Sequence, residues 1–273
     1  MSIPGRSGGG GRPTWGIASE SRNEGAVALR SFWDDLTTAV RCLTWIPTWT
    51  SSAPRTAPVA QFDAERLARA TIAFPLVGAM SGALVALATG IWGDLSGPTV
   101  RAILPVLALI LLSGGRWLGA LARVVGSPVG YGGAAVALVL IAKSAGLAGA
   151  GELADVALLV GPILGRWAPV VLVHGSRPIH HVEGDWLRVG RVTSREFAWA
   201  SVMAFGLVLA TAEAVGLVAI VCAALIATGL RVVAYARTGR VSASLAGASI
   251  EIVETGTILL LAAIAMLAGT VRG

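Results

Sequence analysis

Apolar residues along this chain come in long solid runs, and polar residues are confined to short breaks between them. Seven runs are long enough, or nearly so, to cross a bilayer: 70–92, 99–118, 129–149, 153–174, 197–213, 214–235 and 249–269. Each is judged against the roughly 20 apolar residues that a helix needs to span the hydrocarbon core. The fifth and sixth abut, with only Glu213 to mark a hairpin between them. The runs do not alternate, and Ala, Leu and Gly outnumber aromatic residues in them, which predicts helices and not membrane strands. The expected fold class is therefore all-α: a polytopic transmembrane helical bundle of about seven spans.

Before the first run, Phe32, Trp33, Leu36, Val40, Leu43 and Trp45 recur at helical spacing, and Pro47 stops the pattern. This predicts an amphipathic helix over 31–46, lying either at the membrane interface or packed under the bundle. Residues 1–30, with the glycine run 8–11 and no apolar core, read as a disordered N-terminal tail. No apolar h-region follows their early charges, so no secretory signal is expected. Residues 31–273 are then one integral membrane helical domain.

Composition agrees. Hydrophobic residues make up 55% of the chain and charged residues 13%, against roughly 25% charged in soluble proteins. With the N-terminus cytoplasmic, the inside segments carry Arg41, Arg55, Arg66, Arg69, Arg116, Arg123, Arg177, Arg188, Arg191, Arg195, Arg231, Arg237 and Arg240, besides those of the tail. The outside segments then keep only Arg101, Lys143 and Arg272. That asymmetry is the positive-inside bias, and it predicts a multi-pass protein of the cytoplasmic (inner) membrane. The net charge of +6 is assigned to topology and to the lipid bilayer's anionic headgroups, so no nucleic acid partner is expected. Cys42 and Cys222 read as small packed groups, not as a disulfide.

The candidate chemistry is sparse. Glu251 and Glu254 stand at i and i+3 on one face of the last run, and Arg166 lies inside the fourth. Ionisable residues at such depth mark either a polar pocket or a structural ion pair joining the two spans. The loop 175–196 holds His180, His181, Glu183 and Asp185, which could ligate a metal or simply be solvated. Gly114-Gly115 has no preceding strand and reads as a helix end or close helix contact. Trp92, Trp117 and Trp199 read as interfacial anchors.

Several blocks, in order, resemble one family. They are 39–47 (AVRCLTWIP), Phe74-Pro75-Leu76-Val77-Gly78 with Gly82, Ser113-Gly114-Gly115, Gly165-Arg166-Trp167, and 241–254 with Gly247-Ala248, Glu251 and Glu254. The chain from about residue 32 onward is similar to cobalamin synthase, the adenosylcobinamide-GDP ribazoletransferase. The resemblance implies a helical membrane enzyme that joins adenosylcobinamide-GDP to α-ribazole or its phosphate, releases GMP and uses Mg²⁺. It implies a corrinoid or nucleotide substrate, and a homo-oligomer stays open. Arg177, followed by Pro178, is similar to the family's Arg-Pro in that loop.

The departures fall on the chemistry. Where the family reads approximately Leu-His-Leu-Asp-Gly-Leu-Ala-Asp-x-x-Asp-Gly, this chain has 116–127, RWLGALARVVGS, so three aspartates fall on Gly119, Arg123 and Gly126. The charged segment that follows in the family is missing. The family's Thr-Gly-Asp is replaced by Ser242-Ala243-Ser244, and no Asp occurs between Asp94 and Asp155. A guanidinium cannot give up its proton and repels a divalent cation. The substitutions predict impaired or lost activity, with Arg166, Arg177, Ser242, Ser244, Glu251 and Glu254 left as substrate-binding candidates. A non-catalytic scaffold or binding protein of the same fold is the alternative, and a small-solute carrier is a third reading.

Overall fold

Each apolar run is helical, though not every helix keeps the bounds of its run. The computed structural model describes residues 31–45, 64–92, 97–126, 130–176 and 192–272, and among these there is no strand. Helix α1 covers 31–43. It is followed by α2 (Ala64–Ala70), a 3₁₀ turn (Thr71–Ala73), α3 (Phe74–Trp92), α4 (Pro98–Ser113), α5 (Arg116–Gly126), α6 (Gly132–Gly149), α7 (Ala154–Val173), α8 (Ser194–Thr238) and α9 (Ala243–Arg272). Five helical runs are long and apolar enough to cross a membrane: Glu65–Ile91, Gly132–Gly149, Gly151–Val173, Ser194–Thr238 and Ala243–Thr270. The tail 1–30 and most of the loop 175–196 lie outside the described residues.

The abutting fifth and sixth runs appear as the single element α8, but Glu213 inside it has φ 46° and ψ −129°. The chain reverses there. A Cβ placed on Gly216 would stand 3.0 Å from the Val208 carbonyl oxygen, whereas eight residues of straight helix would separate them by about 12 Å. The hairpin expected at Glu213 is present. Both arms bury small residues at helical spacing, with Ala200, Ala204, Val208 and Ala212 on one and Gly216, Ala219 and Ala223 on the other. Small side chains of this kind let helix backbones close on each other without water to drive the contact.

The second run does not cross as one straight helix. Expected over 99–118, it stops at Ser113, and α5 leaves at 90°. Gly114 caps α4 with φ 62° and Gly115 follows at φ 68°, a left-handed pair that side chains other than glycine's resist. Trp45 lies against Gly114, its Cβ 3.3 Å from where a side chain would begin, and the Trp45 amide donates to the Leu112 carbonyl at 2.8 Å. Arg116 donates to the carbonyls of Ser113 and Thr44, so the bend is tied to the stretch after α1. From Asp35 onward α1 buries Leu36, Ala39, Cys42 and Leu43; of the stripe expected from the spacing, Leu36 and Leu43 are buried and Val40 half-buried, while Phe32, Trp33 and Trp45 are exposed.

Helix α7 forms the centre. From Val160 to Val170 every residue is buried, and α3, α8 and α9 all pack on it. Gly78 and Gly82 of α3 sit on α7 backbone: added Cβ atoms would lie 2.4 Å from the Pro162 oxygen and 2.3 Å from the Leu158 oxygen. Trp117, expected as an interfacial anchor, is instead a core residue, 1% exposed. It sits under Gly247 of α9, whose missing side chain would meet its ring at 3.4 Å. Amphipathic α5 needs a large apolar group on its buried side once it leaves the span direction. Trp199 is exposed as an anchor would be, and the side chain of Trp92 lies outside the described residues.

Candidate functional site

The interior of the bundle holds four charges in mutual contact. Lys143 Nζ on α6 lies 2.5 Å from Glu251 Oε2 and 2.7 Å from Glu254 Oε1, both on α9. Arg166 Nη1 on α7 pairs with Glu254 Oε2. Exposures are 2% for Lys143, 3% for Arg166, 4% for Glu251 and 1% for Glu254. Gly165 admits α9 at this level, with the Ile250 carbonyl oxygen 3.0 Å and Glu254 Cβ 3.1 Å from an added side chain. Glu254 stands about 16 Å along α9 from its first turn at 1.5 Å per residue, well inside a hydrocarbon core of about 30 Å.

The set is neutral, two cations against two carboxylates. The pair of Glu251 and Glu254 with Arg166 left one carboxylate in surplus; Lys143 supplies the missing charge. Lys143 was expected in an outside segment and is corrected to an interior position. Its signal was visible, since it is the chain's single lysine and stands inside the run 129–149. Buried ions of this kind persist only when paired and hydrogen-bonded. Both oxygens of Glu254 are engaged, one by each cation. Chemically the cluster cross-links α6, α7 and α9.

A second group lies at the start of α9. Ser242 Oγ accepts from the Leu245 amide at 3.1 Å and so caps the helix. Arg123, on the exposed side of α5, reaches Ser244, Nε to Oγ 3.5 Å, and its guanidinium lies 3.6 Å from where a Gly119 side chain would begin. Gly119, Arg123 and Ser244 are three of the four positions where the resembling family carries aspartate, and they come together here although Ser244 is 121 residues from Arg123. Ser244 and Glu251, seven residues apart on one face of α9, are about 10 Å from each other along its axis.

Mg²⁺ takes oxygen ligands, typically one or two protein carboxylates beside waters and substrate phosphates. At this place a guanidinium, a hydroxyl and a glycine stand instead, and a cation repels the ion rather than holding it. The donor set does not fit a divalent metal. Glu251 and Glu254 are committed to their ion pairs. Among the described residues no three His, Cys, Asp or Glu side chains cluster as metal ligands. His180, His181, Glu183, Asp185 and Arg177 lie outside the described residues.

Cys42 is buried, and burial pushes its thiol up to about 12 despite nearby Arg116 and Arg41. It is an inert packing group.

A family model described as cobalamin-5-phosphate synthase matches residues 35–125 and 126–262. The chain is 31% identical over 202 residues to a protein of Roseiflexus sp. (strain RS-1) named adenosylcobinamide-GDP ribazoletransferase, covering 67% of this chain and 72% of that protein. No solved structure matches the chain.

Proposed function

The chain belongs to the cobalamin-5-phosphate synthase family, and on that premise we propose that it keeps the family's membrane framework while the joining of adenosylcobinamide-GDP to α-ribazole is impaired or lost. The observation that carries this reading is Arg123 over Gly119 and against Ser244. Transfer of an activated phosphoryl group to a ribose hydroxyl needs charge neutralised along the diphosphate and an aligned nucleophile. In this chain a fixed guanidinium replaces carboxylate-held Mg²⁺. It can bind phosphate oxygens, but it does not recruit a metal to the leaving group. The alternative, a non-catalytic membrane scaffold or binding protein, draws on the same facts together with the intact ion cluster.

The placement is the cytoplasmic membrane with the N-terminus inside. The arginine asymmetry supports it, and becomes sharper once Lys143 is counted in the interior and not with the outside charges.

The test is GMP release by the purified chain in phospholipid vesicles with adenosylcobinamide-GDP, α-ribazole and Mg²⁺, beside the Roseiflexus relative. Metal activation supplies several kcal/mol, so release at least about 100-fold slower is expected. Turnover within tenfold of the relative and dependent on Mg²⁺ would overturn the reading. Substrate bound without turnover would select the binding protein.

A further inference from the structure

Arg123 is held in place without a negative charge to answer it. Its Nε donates to Ser244 Oγ across 3.5 Å, which joins the last turn of α5 to the first turn of α9. Among the described residues Ser244 is its one hydrogen-bond partner, and no carboxylate lies within ion-pair distance of it. The first turn of α9 carries no acid. Glu251 and Glu254, deeper in the same helix, are engaged by Lys143 and Arg166. Arg123 is exposed and Ser244 half-buried, so a ligand can reach both.

The junction beneath them is close-packed. A Cβ added to Gly247 of α9 would lie 2.8 Å from Ala120 Cβ and 3.4 Å from the Trp117 ring, both on α5. Gly119, one turn before Arg123, leaves room above it, and Arg123 Nη1 lies 3.6 Å from where its side chain would begin. The guanidinium therefore folds back over its own helix, with Nε turned to α9 and the Nη1–Nη2 edge without a partner among the described residues. The Ser244 hydroxyl accepts from Nε, and none of the described residues takes its own hydrogen. Since the two groups touch, one ligand can accept from the guanidinium edge and from the hydroxyl together. A phosphoryl group suits them: it is anionic, it has three acceptor oxygens, and guanidinium donors match it. A divalent ion on that phosphoryl group would bring a second positive charge against Arg123.

We propose that Arg123 and Ser244 form a phosphoryl-binding site that works without a divalent metal and that Mg²⁺ does not assist. This rests on the reading above that the position holds no metal, and it names the ligand class that the guanidinium takes there. The phosphoryl group belongs to a soluble diphosphate or to a lipid headgroup. Helix α5 stands at 90° to α4, and an amphipathic helix at right angles to a span runs along the membrane face, where both are present.

The experiment is isothermal titration calorimetry of the full chain in dodecyl maltoside micelles, which carry no phosphate, with inorganic pyrophosphate as the probe and a chelator present. Binding is expected, and excess Mg²⁺ should not tighten it. Arg123→Gln should weaken binding at least about tenfold and Ser244→Ala about threefold, the worth of a charge-assisted and of an ordinary hydrogen bond. Thermal unfolding midpoints confirm that each variant folds. Phosphatidylglycerol added to the micelles separates the two sources: if it displaces pyrophosphate from the unmodified chain, the lipid headgroup is the occupant, and if it does not, the soluble diphosphate is. No binding in chelator, tighter binding with Mg²⁺, or unchanged affinity in Arg123→Gln would each overturn the proposal. Metal-free binding through Arg123 beside rapid, Mg²⁺-dependent GMP release would sink the reading of impaired transfer alone. Absence of both would sink this site alone.

Discussion

Replacing Lys143 with Met tests the interior charge cluster most directly. Lys143 makes two contacts, at 2.5 Å and 2.7 Å. Its removal takes the cation from Glu251 and leaves Glu254 with Arg166 alone, so the interior carries one uncompensated negative charge. Breaking a buried pair by removing one partner costs about 3–5 kcal/mol. That is a large part of the roughly 5–15 kcal/mol that holds a typical protein folded, and it should lower the midpoint of thermal unfolding by about 10 °C or more. The repair is as informative as the damage. In Lys143→Met/Glu251→Met both lost charges are matched, leaving the neutral pair Arg166–Glu254, and most of the loss should return, with a coupling energy of about 1–3 kcal/mol. The assay is unfolding of detergent-purified protein followed by near-UV circular dichroism. A single variant within about 0.5 kcal/mol of the unmodified chain, or a double variant no more stable than the single one, would refute the pairing argument.

Two further expectations concern packing. Gly78→Ala should cost about 1–3 kcal/mol, because its Cβ would lie 2.4 Å from a backbone oxygen that cannot yield, while Gly90→Ala, which meets nothing within 4 Å, should be neutral or slightly stabilising. Unfolding midpoints of the two variants distinguish them. In a Cys222→Ala background Cys42 should resist maleimide at pH 8, since its thiol, raised to about 12, stays protonated. Labelling should appear only on unfolding, and rapid labelling of the folded protein would contradict the packing of α1.

The helical architecture was legible because its cause is local: uninterrupted apolar runs admit no other spanning structure. The Glu213 hairpin was legible for the same reason, as a lone acid between two apolar runs. The 90° turn at Gly114 was not, because the apolar pattern continues through Trp117 and Leu118. Only the third dimension shows those side chains facing inward from α5. Of the candidate site, Glu251, Glu254 and Arg166 were found by their cost in an apolar setting. Lys143 carries the same cost inside the run 129–149, and counting it with the outside charges hides that. The meeting of Arg123 with Ser244 is a contact between distant segments that no spacing rule reports. The blocks that carry the family likeness prove to be places of close contact: helix on helix at Gly78, Gly165 and Gly247, and the α4–α5 bend against Trp45 at Gly114.

The seating of α3 on α7 has a mechanical consequence. With Gly78 and Gly82 lodged against α7 carbonyls one turn apart, those of Pro162 and Leu158, axial sliding would move both glycines off the carbonyls they are fitted to. The two helices therefore translate together as one strut. Any rearrangement that admits or releases a guest must pivot other members around this strut.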